Sequence, residues 1–88
     1  MVYQTDLPLD REGPIATLSR LQEVFIKRQG HIQSDAKAAG HIMASFPNGE
    51  TVSASTFTNH TTGASGVMLM CSGSSQEQAK ALCQSFKK

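Results

Sequence analysis

Ile15, Leu18, Leu21 and Phe25 recur at three- and four-residue intervals, flanked by Gln22 and Val24, which is the spacing of one helix face. Pro14 suits the first helical position, where its missing N–H costs nothing. Glu12 lies just before the start and Lys27-Arg28 fall in the last turn, the order the helix dipole favours. Gly30 offers a left-handed cap. The spacing predicts a helix over 14–29 with a single apolar face.

From Gly40 the period changes. Ile42, Ala44 and Phe46 alternate with His41, Met43 and Ser45, as in a half-buried strand. Pro47-Asn48-Gly49-Glu50 follows, and it reads as a turn: proline presets φ at the first corner, and Asn or Gly accepts a positive φ after it. Thr51 to Thr58 is β-branched and aromatic enough for a second strand. The stretch 59–65 is a polar loop. Val67 to Cys71 is an apolar run of strand length. Ser74 or Ser75 then caps a last helix, because Ser74 with Glu77 and Ser75 with Gln78 both have capping-box spacing. Ala79, Leu82, Cys83 and Phe86 lie on one face of that helix.

The pattern therefore predicts an α+β two-layer sandwich in the order α-β-β-β-α. An antiparallel sheet of three or four strands carries helices 14–29 and 74–87 on one face. Core candidates are Ile15, Leu18, Leu21, Phe25, Ile42, Phe46, Val52, Leu69, Cys71, Leu82 and Phe86. Residues 14–88 form a single domain, and residues 1–13, interrupted by Pro8, are an N-terminal arm or an edge strand. For residues 31–39 two readings stand. One is a short helix capped by Ser34 and carrying Ala36, Ala38 and Ala39; the other is an irregular or extended link.

Length narrows this further. A chain of 88 residues holds one domain and buries about 60–65% of its unfolded surface, so association would help it bury more. Charged residues are 17% of the chain, below the usual figure of about 25%, and Ser and Thr supply the missing polarity. Eight basic against seven acidic residues leave a net charge of +1, without the basic excess of a typical nucleic-acid binder. Lys27-Arg28 and Lys87-Lys88 both fall at helix C-termini, where the dipole accounts for them. No charged-then-apolar leader or membrane-length apolar run is present. The expectation is a cytoplasmic protein with no membrane association, in which Cys71 and Cys83 are reduced. Both occupy apolar faces, as small core residues that could come near each other.

Catalytic and metal-ligating patterns are missing. His31, His41 and His60 have no paired ligand spacing with each other or with the cysteines, so no metal site and no cofactor are expected. No nucleophile elbow or acid pair occurs, and no enzyme activity is expected. Asn59-His60-Thr61 matches a glycosylation acceptor, read as coincidental without a leader. Gly73, Ser74 and Ser75, ahead of a helix, are candidates for holding an anion or small ligand on free N–H groups.

Met68 and Met70 are the informative oddity. With Val67, Leu69 and Cys71 facing the helices, these methionines point to the opposite face, which a two-layer fold leaves open. Met is common on adaptable binding surfaces. The leading expectation is thus a small non-enzymatic interaction protein that meets another protein, or a second copy as a homodimer, through that face. The other reading is that the N-terminal arm or residues 31–39 cover the methionines.

The order α-β-β-β-α resembles that of a double-stranded-RNA-binding domain, and Gly73-Ser74-Ser75-Gln76-Glu77-Gln78-Ala79-Lys80-Ala81-Leu82 resembles that family's strand-to-helix junction. The resemblance implies a nucleic-acid-binding module, which is the alternative function. Where the family grips phosphates with lysines at the start of the last helix, this chain has Gln76, Glu77 and Gln78. Its first hairpin turn, Pro47-Asn48-Gly49-Glu50, replaces the family's Gly-Pro-x-His minor-groove loop.

Overall fold

The structure, a computed structural model, describes residues 1–87. The elements run β1 (Val2–Pro8), α1 (Pro14–Lys27), β2 (His31–Ala36), a 3-10 turn at Lys37–Ala39, β3 (His41–Ser45), β4 (Thr51–Thr58), β5 (Ser65–Ser72) and α2 (Gln76–Gln84). All neighbouring strands are antiparallel, in the spatial order β1-β5-β4-β3-β2. Strands β2 to β5 are thus a meander, and β1 returns beside β5. The α+β class with both helices on one face of an antiparallel sheet is as the pattern predicts.

Two details of that prediction are corrected. The sheet has five strands, and the order is β-α-β-β-β-β-α rather than α-β-β-β-α. The additional strands are the two edges. Residues 1–13 supply β1, whose seven residues pair with β5 from Val2↔Ser72 to Pro8↔Gly66. Residues 31–39 are β2 and the 3-10 turn, not a helix capped by Ser34. A bulge between Ile32 and Ser34 puts Ile32 and Asp35 on the same face, which destroys the two-residue period a strand reading relies on.

Helix α1 ends in a Schellman motif. Gln29 takes the left-handed conformation (φ 66°), its N–H bonds Ile26 O, and Gly30 N–H reaches back to Phe25 O at 2.8 Å. Gly30, expected as the left-handed cap, is instead the residue after it. Glycine is needed there because a Cβ would sit 2.7 Å from Phe25 O and 3.0 Å from the Phe46 ring. Ile15 leaves the expected core: it is 56% exposed, about a quarter-turn from the centre of the face built by Thr17, Leu18, Leu21 and Phe25. Thr17 is buried in its place and fully engaged. Its hydroxyl donates to Gly13 O at 2.8 Å and accepts from Asp10 N–H at 2.7 Å.

The turn after β3 forms as predicted, with Gly49 at φ 90°, Gly49 N–H bonded to Phe46 O and Phe46 N–H to Glu50 O. Helix α2 is shorter than the predicted 74–87. It begins after Ser75 and ends at Gln84, so Lys87 lies beyond its last turn, and Lys88 lies outside the described residues.

The core lies between the helices and one sheet face. Helix α1 packs over β2 and β3, and α2 over β1 and β5. Leu7, Leu18, Leu21, Phe25, Ile42, Val52, Val67, Leu69 and Phe86 fill the space, with Ala44 and Ala54 letting the layers approach. Phe25 meets the rings of Phe46 and Phe86 edge-on, at 6.3 and 5.1 Å. Leu82 and Phe46 pack at the margin, half-buried. The cysteines are not reduced: Cys71 on β5 and Cys83 on α2 form a disulfide, both fully buried. A strand and a helix packed face to face bring these two side chains together, and the short link 73–75 between β5 and α2 puts them in reach.

Candidate functional site on the open sheet face

Alternation decides what the second face of the sheet carries. Register aligns Gln4, Met70, Ser53 and Met43 in one cross-strand row, and Asp6, Met68, Ser55 and His41 in the next. A third row runs Val2, Ser72, Thr51, Ser45 and His31. Their neighbours along each strand (Val67, Leu69, Cys71, Val52, Ala54, Ile42 and Ala44) are the buried core. Both helices lie on that core side, and the three rows lie on the other.

Met68 and Met70 therefore sit on the open face, Met70 43% exposed and Met68 half-buried. Neither the N-terminal residues nor residues 31–39 cover them; both segments extend the sheet sideways. Sequence reading placed Met43 on the outward side of its strand but did not group it with the other two. It stands in the Met70 row, across Ser53, and is 37% exposed. The face is extended by Phe57, which pairs with Gly66 and lies so close that a Cβ on Gly66 would come within 3.0 Å of its ring. Half-buried Ser53 separates Met43 from Met70, half-buried Ser55 lies beside Met68 in the next row, and Ser45 Oγ accepts from Gln33 Nε2 at 2.8 Å.

The electrostatics of this face are simple. Besides the histidines His31 and His41, the five strands contain two charged residues, Asp6 and Asp35. The β2 bulge turns Asp35 to the helix side, where Lys37 Nζ donates to it at 2.8 Å and Gln22 Nε2 at 3.4 Å. The Lys37 ammonium holds the Asp35 carboxyl below the usual carboxylate range. Only Asp6 is left at an open-face position. The result, across the strands, is a nearly uncharged surface of thioether, aromatic and hydroxyl groups.

The expected anion site is turned to other uses. Gly73 N–H donates to Met1 O at 3.0 Å. Ser74 N–H and hydroxyl both donate to Gln78 Oε1, and Gln78 N–H donates to the Ser75 hydroxyl at 3.1 Å. This is the predicted capping exchange, displaced by one residue on its return leg to the Ser74 N–H. Gly73, Ser74 and Ser75 are brought together, with these donors directed at the chain's own acceptors.

At the β1 edge, where that strand meets the helix layer, a cavity of about 420 Å³ is lined by Asp6, Leu7, Pro8, Asp10, Arg20, Phe86 and Lys87. Arg20 is paired there with Asp10 through two nitrogens at 2.8 and 3.1 Å, which raises its pKa above the ordinary value. His31 and His41 occupy different rows of the open face, and His60 is in the β4–β5 loop. Among the described residues no three His, Cys, Asp or Glu side chains gather as a metal site, and no helix is long and apolar enough to cross a membrane. No family model matches this chain, and neither does any curated protein or solved structure.

Proposed function

We propose that this chain is a non-enzymatic interaction protein that binds another protein through the open face of its sheet. The observation that carries the reading is the Met70–Ser53–Met43 row: two exposed methionines and a small hydroxyl on a face with a single carboxylate. Such a surface suits an apolar, weakly charged partner, because thioethers adapt to irregular contours and little charge has to be desolvated. It does not suit phosphate backbones, which need cations the strands lack.

The cytoplasmic location expected from the sequence implied reduced cysteines. A buried Cys71–Cys83 disulfide supports instead an oxidising compartment as the place of action. Alkylation of the protein as it is made in its source cells should then find no free thiol, whereas modification of both cysteines would place it in a reducing compartment.

The binding reading is tested by affinity capture from extract of the source organism, with wild type, Met70→Lys and Ser53→Lys compared as baits. A protein retained by wild type should be lost from both variants and kept by Lys27→Glu on the helix side. Retention by the open-face variants would move the binding surface elsewhere.

A further inference from the structure

The two edges of the sheet are built differently. Edge strand β2 is bulged between Ile32 and Ser34, a feature that blocks edge-to-edge pairing. Edge strand β1 is unbulged, with seven consecutive pairs to β5, and no strand covers its outer side among the described residues.

Backbone hydrogen bonds show which groups face outward. Met1 and Gly73 exchange both bonds, at 3.0 and 3.3 Å. In an antiparallel ladder such pairs alternate, so Tyr3, Thr5 and Leu7 turn their N–H and C=O toward β5, and Val2, Gln4, Asp6 and Pro8 turn theirs outward. Gln76 Nε2 donates to Val2 O at 3.2 Å, which confirms that this carbonyl points away from β5.

This edge is self-complementary about Thr5. With a two-fold axis there, Gln4 of one copy faces Asp6 of the second copy as a hydrogen-bonded pair, and the reverse. Val2 faces Pro8 of the second copy. Proline has no N–H to give, and the carbonyl that would have received it, Val2 O, already has Gln76. The two irregularities of the edge thus fall opposite each other, and Val2 N–H meets a free proline carbonyl. Side chains match as well: Tyr3 opposes Leu7, Thr5 opposes itself, Val2 opposes Pro8, and the Gln4 amide opposes the Asp6 carboxylate, so no like charges meet. Helix α2 lies over β1 and β5; two copies of it would stand about 10 Å apart across the axis, the spacing of packed helices. Gln84, bonded to Tyr3 Oη at 3.2 Å, and Gln76 would line the seam.

We propose that β1 pairs with β1 of a second copy in this register, forming a homodimer with a continuous sheet. The open face is left uncovered and doubled in extent, so this pairing stands independently of any partner that face binds.

Sedimentation velocity of the oxidised full chain tests it. Wild type should show a concentration-dependent monomer–dimer equilibrium. Gln4→Pro removes an outward N–H that the β1–β5 ladder does not use, and should weaken the dimer at least tenfold, roughly the loss of one paired bond per copy, with near-UV circular dichroism unchanged. Gln4→Lys, facing Asp6, should tighten it roughly three- to tenfold, and Gln4→Asp should weaken it by a similar factor. Met70→Lys should leave it unaltered while abolishing any open-face binding. A wild type that stays monomeric to about 1 mM, a millimolar dissociation constant or weaker, would overturn the proposal. So would a dimer that survives Gln4→Pro and is lost in Met70→Lys, or a Gln4→Lys dimer weaker than wild type, which would put the axis at Gln4 instead.

Discussion

Cys71 on β5 and Cys83 on α2 are bonded across the core, with their Cα atoms 5.7 Å apart and neither side chain exposed. The bridge closes a loop with a sequence separation of 12 that contains the whole β5–α2 connection. Helix α2 has nine residues and buries only Ala79 and Cys83 completely, so packing alone gives it little hold on the sheet. Replacing both cysteines by alanine should remove about 3 kcal/mol of stability and lower the melting temperature by roughly 10–20 °C. Differential scanning calorimetry with and without reductant checks this. Reduced wild type should approach the double variant, and an unchanged transition would show that α2 holds without the bridge.

Thr17 shows how a buried hydroxyl can be part of a helix start. It ties Gly13 O in the first turn to Asp10 N–H in the preceding loop. Thr17→Val keeps the shape and leaves the Asp10 N–H without that acceptor. The expected loss is about 1–3 kcal/mol, read as a lower urea midpoint at constant slope. Thr17→Ser, which retains the hydroxyl, should lose less.

How far these elements could be read in advance depended on their periodicity. Leu18, Leu21 and Phe25, and again Ala79, Cys83 and Phe86, carry clean helical spacing, and both helices were legible. Strand β3 was legible because Ile42 and Ala44 alternate with His41, Met43 and Ser45, β4 through its β-branched and aromatic content, and β5 as an apolar run of strand length. Edge strand β1 was readable only as one of two options, since Pro8 and a polar Gln4–Asp6 stretch weaken the alternation. Edge strand β2 was hidden by its bulge. Met68 and Met70 could be assigned to the open face because a one-residue step changes faces on a strand. Met43 carried the same signal but became part of the site only when the β3–β4 register placed it beside Ser53. Cys71 and Cys83 each lay on a predicted core face; their bond depends on how α2 sits over β5, a distance that spacing along the chain does not contain.

Asp35 gives the domain an acid-sensitive contact at the β2 end. Its carboxylate is held by Lys37 Nζ and lies below the ordinary value of 3.8. A group with a depressed folded pKa contributes stability that is present above its unfolded value and is lost as pH falls through the folded one. The contribution should therefore be intact at neutral pH and disappear below about pH 4, the ordinary carboxyl range. Asp35 is exposed, so the effect is small and salt should reduce it. Urea midpoints for wild type and Asp35→Asn should differ at pH 7 in low salt and converge in strong acid. A difference that persisted in acid would assign the effect to the Gln22 contact or to local backbone shape.

Phe57 and Gly66 set one border of the open face, and their contact can be tested without touching the methionines. A Cβ at Gly66 would meet Leu7 O at 2.8 Å as well as the Phe57 ring at 3.0 Å. An added side chain thus pushes on the β1 backbone and the ring at once. Gly66→Ala should cost roughly 1–3 kcal/mol, as crowding in a packed site does. Phe57→Ala in the same chain frees the ring's space but leaves the Leu7 carbonyl in place. The double variant should recover part of the loss, giving a coupling energy of about 0.5–1 kcal/mol in a double-mutant cycle. If the two changes are additive, the ring does not rest on Gly66, and the apolar border of the open face is lost with it.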